Sequence, residues 1–278
     1  MTTLKQALRK KLSKKEIDML IASYDIIGSI AIIEIPSGLA KKEKLIAETL
    51  LGLHKNIRTV LKKAGIHKGT YRRQKLEAIA GEKTKVAEYK ENNAILRLDV
   101  EKVYFSPRLS TERKRICRLI KAGENVLVMF SGCAPYPLVI AKNTKAKKIC
   151  GIELNPVAHS FALENVKINK IKNIELFLGD VRKIIPKLEK QKKYFERIIM
   201  PLPKGAESFL ESAFSVAKKG ANIHFYDFAM EGEFNSVREK IKNACKGSSK
   251  KCRILKVVKC GQYAPRVFRV CADFKILS

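Results

Sequence analysis

The chain has 278 residues, of which 46% are hydrophobic, so it can bury one large core or two smaller ones, and this excludes a disordered tail. Lys and Arg number 57 against 27 Asp and Glu, a formal net charge of +30 that favours a polyanionic partner such as nucleic acid, with lysine-rich surface solubilisation as the alternative. The sequence contains no run of about 18 uncharged apolar residues and no apolar signal-peptide core, so we expect a cytoplasmic protein without a membrane span.

The cysteine pattern favours neither disulfides nor a metal site. Seven cysteines are an odd number, and no two of them form a C-x-x-C pair. We therefore expect reduced thiols, most of them in the core, and no bound metal.

The first hundred residues predict a small α+β domain. Ser13 followed by Glu16 forms a capping box that opens a helix over 13–23. The apolar segment 26–36 predicts a strand that ends at Pro36 and Gly38. A second helix is expected over 41–52, and alternating segments predict short strands of an antiparallel sheet at 57–64, 70–80, 84–89 and 94–100.

From residue 101 onward, strands and helices alternate. A helix over 111–122 leads into the buried strand N-V-L-V-M-F, and the alternation then continues to A-N-I-H-F-Y-D-F at 221–228, with a helix expected to run through Ala217 before that last strand. This order and spacing predict an α/β fold with a doubly wound sheet and right-handed crossovers. We therefore divide the chain into a domain over 1–100 and a domain over 101–278.

Three polar or glycine positions lie at predicted strand ends, where ligands bind in doubly wound sheets. Gly132 follows the first strand, Glu153 ends the second, and Asp180 follows the third. Glu153 is placed to accept ribose hydroxyls and Asp180 to accept an adenine amino group, although a glycine turn and solvated acids are the structural alternatives. No G-x-G-x-x-G is present to hold a pyrophosphate, so S-adenosylmethionine fits better than a dinucleotide.

Two further segments point to chemistry on a nucleobase. The run M-P-L-P-K-G-A-E at 200–207 follows the fourth strand, where amino-directed methyltransferases carry a proline-containing loop, although prolines also simply end strands. Upstream, V-Y-F-S-P-R-L-S-T-E-R-K-R at 103–115 places Arg108 four residues before Glu112. The two side chains suit a stabilising cation and a proton acceptor, or an ordinary i, i+4 helix pair.

The combined motifs resemble the archaeal and eukaryotic tRNA (guanosine-37-N1) methyltransferases, as a short member that lacks their extra N-terminal domain. The resemblance extends from about residue 20 to the C-terminus and is carried by K-G-T-Y-R-R (68–73), V-Y-F-S-P-R-L-S-T-E-R (103–113), G-I-E-L-N-P (151–156), G-D-V-R (179–182), I-M-P-L-P-K (199–204), I-H-F-Y (223–226) and Y-A-P-R (263–266).

The resemblance implies a class I, Rossmann-like methyltransferase that transfers a methyl group to N1 of guanosine 37 in the tRNA anticodon loop. Glu112 resembles the general base, Arg72 the residue that contacts guanine O6, and Arg108 a further catalytic cation that shapes the pocket together with Tyr104. Without the resemblance, Glu112 would be a helix ion-pair partner and Arg72 a phosphate contact. We expect the active site where the two domains meet.

The resemblance also implies ligands and partners. The domain over 1–100 is expected to bind the anticodon stem-loop, with Lys62 and Lys63 on phosphates, and the domain over 101–278 to bind S-adenosylmethionine, in a protein that acts as a monomer. The expected cofactor contacts are Tyr104, Phe130, Gly132, Glu153, Leu154, Asp180, Val181 and Pro201. The expected RNA contacts are Lys68, Arg72, Arg73, Tyr104, Pro201 and Lys204.

Three positions depart from the family pattern: Val128 replaces an aspartate of the first strand, Ala134 a glycine of the following loop, and Pro201 the asparagine of N-L-P-K. We therefore expect cofactor binding, with tRNA selection that is looser or that relies on the two domains present. Two alternative functions stay open: methylation of a tricyclic wybutosine precursor at the same tRNA position, and tRNA binding without catalysis by a degenerate methyltransferase fold. A structural scaffold is disfavoured because the motifs cluster at predicted strand ends.

Overall fold

The computed structural model describes residues 2–65, 69, 71 and 74–278, and the chain divides into two compact units. The first comprises Met1–Lys90 and Ile95–Pro107, and the second comprises Glu91–Ala94 and Arg108–Ser278. Residue 100, the boundary expected from the sequence, lies within Ile95–Pro107, the second segment of the first unit. The binding roles expected of the two domains stay predictions.

The first unit combines helices with a mixed sheet. Its helices are α1 (Leu4–Leu8), α2 (Lys14–Met19) and α3 (Glu43–Leu53), and its sheet strands are β1 (Tyr24–Ile27), β2 (Ile30–Ile33), β3 (Thr59–Lys63) and β4 (Leu76–Gly81). The strand order is β1-β2-β3-β4, with β2 and β3 parallel and the outer pairs antiparallel. Apolar side chains of α1, α3 and the sheet form its core, among them Leu8, Ile33, Ile46, Leu50 and Val60.

The capping box before α2 is confirmed: the Ser13 hydroxyl accepts from the Glu16 amide, and the Glu16 carboxylate accepts from the Ser13 amide. The single strand expected over 26–36 is wrong, because the chain reverses at Gly28 to give β1 and β2. Gly28 has φ +59°, and a Cβ there would lie 2.0 Å from the carbonyl oxygen of Glu88. A side chain at this position is therefore excluded both by the backbone conformation and by space.

The purely antiparallel sheet expected for this domain is also wrong. The β3 strand joins β2 in parallel, while β5 (Val86–Glu91) and β6 (Ala94–Asp99) form a separate two-stranded hairpin. Periodicity locates strands but does not determine their partners, because it reports which face is buried and not which neighbour supplies the hydrogen bonds.

The second unit confirms the doubly wound α/β fold. Its strands are β7 (Asn125–Met129), β8 (Lys148–Glu153), β9 (Ile174–Leu178), β10 (Phe195–Met200), β11 (Ala217–Met230), β12 (Cys252–Ala264) and β13 (Val267–Ile276). Its helices are α4 (Ser110–Leu119), α5 (Pro135–Asn143), α6 (Pro156–Ile168), α7 (Val181–Lys190), α8 (Leu210–Ser215) and α9 (Asn235–Gly247). The helix expected to extend through Ala217 ends earlier, and Ala217 begins β11.

The sheet of the second unit has the strand order β12-β13-β11-β10-β7-β8-β9. The pairs from β11 to β9 are parallel, whereas β13 is antiparallel to both β11 and β12. The strand order reverses at β7, which pairs with β10 on one side and β8 on the other. The carboxyl ends of β7 and β10 therefore form the topological switch point, where a ligand binds in folds of this kind, and the end of β8 lies next to that of β7.

Apolar residues from one face of this sheet pack against α7, α8 and α9 to form the second core, among them Leu127, Ile152, Ile198, Phe225 and Phe274. The cysteines are free thiols and most are buried, as expected. Burial raises the pKa of the Cys133 thiol to about 12, so it is protonated and unreactive at neutral pH. Within the described ranges, we find no helix with the length and apolar character needed to cross a membrane.

Candidate active site

The loop after β7 turns back onto the end of β8. Phe130, Gly132 and Ala134 all adopt left-handed backbone conformations, with φ of +57°, +57° and +68°. The Ser131 amide donates to the carbonyl of Ile152 at 2.8 Å, which fixes the loop against β8. Ala134, in the place of the family's second glycine, accepts the left-handed conformation that glycine adopts without strain.

Glu153 ends β8, beside the switch point, and is held there by main-chain donors. One carboxylate oxygen accepts from the Gly132 amide at 2.6 Å, and the other accepts from the Asn155 amide at 2.7 Å. Burial raises the pKa of Glu153, while these backbone hydrogen bonds act in the opposite direction. The structure thus brings two of the expected cofactor residues, Gly132 and Glu153, into direct contact.

The neighbouring strand end carries Asp180, whose carboxylate accepts from the Arg182 amide at 2.8 Å and caps α7. Leu154 is 39% exposed and presents an apolar side chain beside Glu153. Val181 differs, because its side chain packs into the core below. Any cofactor contact from Val181 must therefore come from its main chain.

The loop after β10 starts with a tight turn in which the Leu202 amide donates to the carbonyl of Met200 at 2.8 Å. Pro201 is half-buried, and Lys204 is exposed. Both lie at the carboxyl edge of the sheet, as the sequence predicted for this segment.

Glu112 lies in the first turn of α4 and is only 5% exposed. Arg115 donates to both of its carboxylate oxygens, at 2.7 Å and 2.8 Å, and the Tyr226 hydroxyl donates to one of them at 2.6 Å. Arg108, in the turn before α4, is exposed. Glu112 therefore forms its ion pair with Arg115, three residues along the helix. It also accepts a hydrogen bond from Tyr226 on β11.

Arg115 joins Glu112 to Asp273 on β13. It donates to the two Asp273 oxygens at 2.6 Å and 3.2 Å. Burial opposes the charge of Arg115, but its hydrogen bonds to Glu112 and Asp273 outweigh burial and raise its pKa. Burial also opposes the charge of Asp273, yet His224 and Arg115 hold the pKa of that carboxyl well below its usual value.

His224 continues this network on β11. Its Nδ1 lies 2.6 Å from Asp273, and its Nε2 lies 2.7 Å from a guanidinium nitrogen of Arg197. A guanidinium only donates, so Nε2 accepts and the imidazole proton is on Nδ1. Burial lowers the pKa of His224, which agrees with a neutral ring. We refer to Glu112, Arg115, Tyr226, Asp273 and His224 as the Glu112 network.

The His224, Cys271 and Asp273 donor atoms lie within 4.8 Å of one another, a spacing that a metal ion can bridge. However, Asp273 is bonded to Arg115 and the ring of His224 to Arg197. A divalent cation would lie beside two guanidinium groups and would displace hydrogen bonds that are already made. We therefore assign no metal to this cluster.

Two known domain families match the chain, one in each half. The sequence profile of the TRM5/TYW2 methyltransferase domain matches residues 87–255, and that of the TYW2 N-terminal domain matches residues 4–84. The chain belongs to the TRM5/TYW2 methyltransferase family. The resemblance inferred from its motifs is thereby confirmed.

Three similar proteins place the chain within the TRM5/TYW2 family. It is 40% identical to the tRNA (guanine(37)-N(1))-methyltransferase Trm5b of Pyrococcus abyssi over 92% of this chain and 76% of that protein. It is 34% identical to Trm5b of Methanocaldococcus jannaschii over 98% and 78%. A solved complex of aTrm5 with tRNALeu superposes with a TM-score of 0.86 at 32% identity, covering 99% of this chain and 78% of that one.

Not every residue predicted for this TRM5/TYW2 family site can be located. Lys68, Arg72 and Arg73 lie outside the described residues. Tyr104 is half-buried in the first unit. The roles predicted for these four residues stay predictions.

Sequence reasoning missed the partners of Glu112. Asp273 is 158 positions away from Arg115, and no local pattern joins them. The available signal was the alternation of polar His224 and Tyr226 within an otherwise apolar strand, because polar side chains on a buried face require partners.

Proposed function

We propose that this chain is an S-adenosylmethionine-dependent tRNA methyltransferase that acts on N1 of guanosine 37. The observation that carries the proposal is the placement of Glu112. The motif resemblance assigns this carboxylate the role of general base, and partners from β11 and its own helix fix its orientation, which supports that role. Membership of the TRM5/TYW2 family supplies the reaction type.

The cofactor edge fits a nucleoside without phosphates. Glu153 and Asp180 provide carboxylates at adjacent strand ends, and Leu154 provides an exposed apolar surface for a ring face. Glu153 retains acceptor capacity for ribose hydroxyls, because a carboxylate has about four lone-pair sites and two of its bonds go to amides. S-adenosylmethionine, when bound there, supplies the methyl group.

Guanine N1 carries a proton at neutral pH and is a poor nucleophile until that proton is removed. Glu112 accepts the proton, and Arg115 and Tyr226 hold its carboxylate in place, so that the acceptor does not have to reorganise during the reaction. Because Arg115 is shared with Asp273, its charge is divided between two carboxylates. The contributions of Arg72 and Arg108 at guanine O6 stay predictions.

The test is a methylation assay with isotopically labelled S-adenosylmethionine and unmodified tRNA, followed by identification of the product nucleoside by mass spectrometry. We expect 1-methylguanosine at position 37 with the wild-type chain. For Glu112→Gln we expect product to form at least about a hundredfold more slowly, because general bases contribute on the order of 10²–10⁴ in rate.

Cofactor and tRNA binding by Glu112→Gln are measured by calorimetry, and the exposed Glu239→Gln serves as the matched control. Retained binding with lost transfer supports the base assignment. Wild-type rates for Glu112→Gln would refute it, and tRNA binding by the wild-type chain without product would favour the non-catalytic alternative.

A second substrate is suggested by one relative. The chain is 37% identical to a Nanoarchaeum equitans protein named tRNA (guanine(37)-N(1))/4-demethylwyosine(37)-methyltransferase Taw22, over 79% of this chain and 87% of that protein. We infer that a tRNA carrying 4-demethylwyosine at position 37 is a second substrate of this chain, and the same assay tests it. Methylation of this tRNA but not of the guanosine form would overturn the primary assignment.

A further inference from the structure

The sheet face that carries the Glu112 network continues beyond it toward the surface. Along β11 the residues on this face are His224, Tyr226 and then Phe228, because side chains alternate between faces of a strand. Register pairs them with Asp273, Cys271 and Arg269 on β13. Phe228 is half-buried and lies about 7 Å farther along the strand than Tyr226.

At this point an exposed aromatic ring covers the sheet. Tyr263, at the end of β12, is 66% exposed, and its ring lies 4.2 Å from that of Phe228 with an interplanar angle of 33°. The Arg269 guanidinium lies over the Phe228 ring, 5.6 Å from its centroid. We name Tyr263, Phe228 and Arg269 the Tyr263 platform.

The topology places this platform at the cofactor edge of the second unit. The β13 strand is antiparallel to β11 and to β12, so β12 runs in the same direction as β11 and the other parallel strands. The carboxyl end of β12, where Tyr263 lies, is therefore at the same edge as Glu153 and Asp180. The turn that follows exposes Arg266, at φ +59°.

The charge on this hairpin matches an anionic ligand. Strands β12 and β13 and their turn carry one acidic residue, Asp273, which Arg115 and His224 already bind. Their basic residues are Arg253, Lys256, Lys259, Arg266, Arg269 and Lys275. Lysines on an edge strand also prevent strand pairing with other molecules, but that function does not require an exposed tyrosine stacked on a phenylalanine.

A flat exposed aromatic ring bordered by cations suits a single-stranded nucleotide, whose base stacks while its phosphate is neutralised. We propose that the nucleotide adjacent to the target base in the RNA loop stacks on Tyr263, with Arg266 at its phosphate. This inference rests on the proposed function. Phe228 of the platform is two residues beyond Tyr226, on the sheet face where Tyr226 contacts Glu112. A nucleotide stacked on the platform therefore lies beside a target base at Glu112.

The test uses an RNA hairpin with the anticodon stem and loop sequence and 2-aminopurine beside the target guanosine. Stacking of this probe on Tyr263 is expected to quench its fluorescence on binding. Tyr263→Ala is expected to weaken binding about ten- to a hundredfold and to abolish the quenching, the range seen for loss of one base–aromatic stack. Tyr263→Phe is expected to retain both.

Tyr194→Ala is the matched control, because Tyr194 is 38% exposed and precedes β10 at the opposite edge of the sheet. Circular dichroism and urea unfolding establish that each variant is folded. Binding and quenching by Tyr263→Ala equal to those of Tyr194→Ala would overturn the platform, even if the wild-type chain methylates guanosine. Weakened binding by Tyr263→Ala with no methylated product from the wild-type chain would instead retain the platform and overturn the proposed function.

Discussion

At the scale of single residues, the environment of Glu112 shows how a carboxylate can be both buried and available for one reaction. It receives a guanidinium from its own helix and a phenol from β11, and Tyr226 is itself bonded to the Tyr136 hydroxyl at 3.0 Å. Burial raises the pKa of Tyr226 well above its usual value, so its hydroxyl keeps its proton at neutral pH and donates a hydrogen bond to Glu112.

Tyr226→Phe removes this donor without changing the ring. We expect methyl transfer to slow about ten- to a hundredfold, since a hydrogen bond to a charged group is worth about 1.5–3 kcal/mol. Rates of methyl transfer measure this effect, with Tyr194→Phe as control; an unchanged rate would contradict the positioning role.

Ser131 offers a stability prediction at the cofactor loop. Its hydroxyl is buried and, among the described residues, has no hydrogen-bond partner. Ser131→Ala should therefore stabilise the fold by about 1 kcal/mol, because an unsatisfied buried hydroxyl is removed at nearly constant volume. Urea unfolding measures the change, with the exposed Ser215→Ala as reference. A loss of more than about 1 kcal/mol would indicate a partner for this hydroxyl.

At the scale of elements, a buried ion pair fixes α4, the helix that carries Glu112. Arg113 donates to both carboxylate oxygens of Glu91, and each side chain is 2% exposed. Glu91 lies in the short segment Glu91–Ala94, which belongs to the second unit. The buried pair of Glu91 and Arg113 therefore anchors the start of α4 from the tip of the β5–β6 hairpin.

Glu91→Gln should destabilise the second unit by about 3–5 kcal/mol, because the Arg113 charge stays buried without its counter-charge. The double variant Glu91→Leu with Arg113→Met should recover most of this loss, since both charges are then absent. Denaturation followed by circular dichroism tests this. Lys242→Ala, which breaks an exposed pair with Glu239, is the control and should change stability by less than about 1 kcal/mol.

At the scale of the whole molecule, the buried network makes stability depend on pH. Burial lowers the pKa of His224 below its unfolded value of about 6.5. Below that pH the unfolded chain binds a proton that the folded chain does not, so stability falls as pH falls, by up to about 1.4 kcal/mol per pH unit. Asp273, whose pKa is also lowered in the folded protein, adds a loss of stability only near and below its unfolded value of about 3.9.

Comparison of the wild-type chain with His224→Gln isolates this effect. The variant should be less stable at neutral pH, because it loses the bond to Asp273, but its free energy of unfolding should change less between pH 7 and pH 5. Urea unfolding at several pH values measures both slopes. Equal slopes for the two proteins would show that His224 does not titrate on unfolding. The partly buried His159 is present in both proteins and therefore does not contribute to the difference between their slopes.

The sequence by itself determined the alternation of strands and helices in the second unit, the family and the strand-end residues Gly132, Glu153 and Asp180. These follow from local patterns, because hydrophobic period, capping residues and turns act over a few positions. The capping box before α2 is of this kind. The reversal at Gly28 is local as well, but the carbonyl of Glu88, which leaves no space for a side chain there, is distant in sequence.

Only the tertiary structure decided which strands pair, and which side chains surround Glu112. The parallel pairing of β2 with β3 and the contacts of Arg115 with Asp273 join residues that are far apart in the chain. Arg108, four residues before Glu112, was the partner that sequence proximity suggested, whereas the structure pairs Glu112 with Arg115 and Tyr226. Burial imposes this choice: a carboxylate removed from water must take its donors from the side chains that packing brings to it, wherever they stand in the sequence.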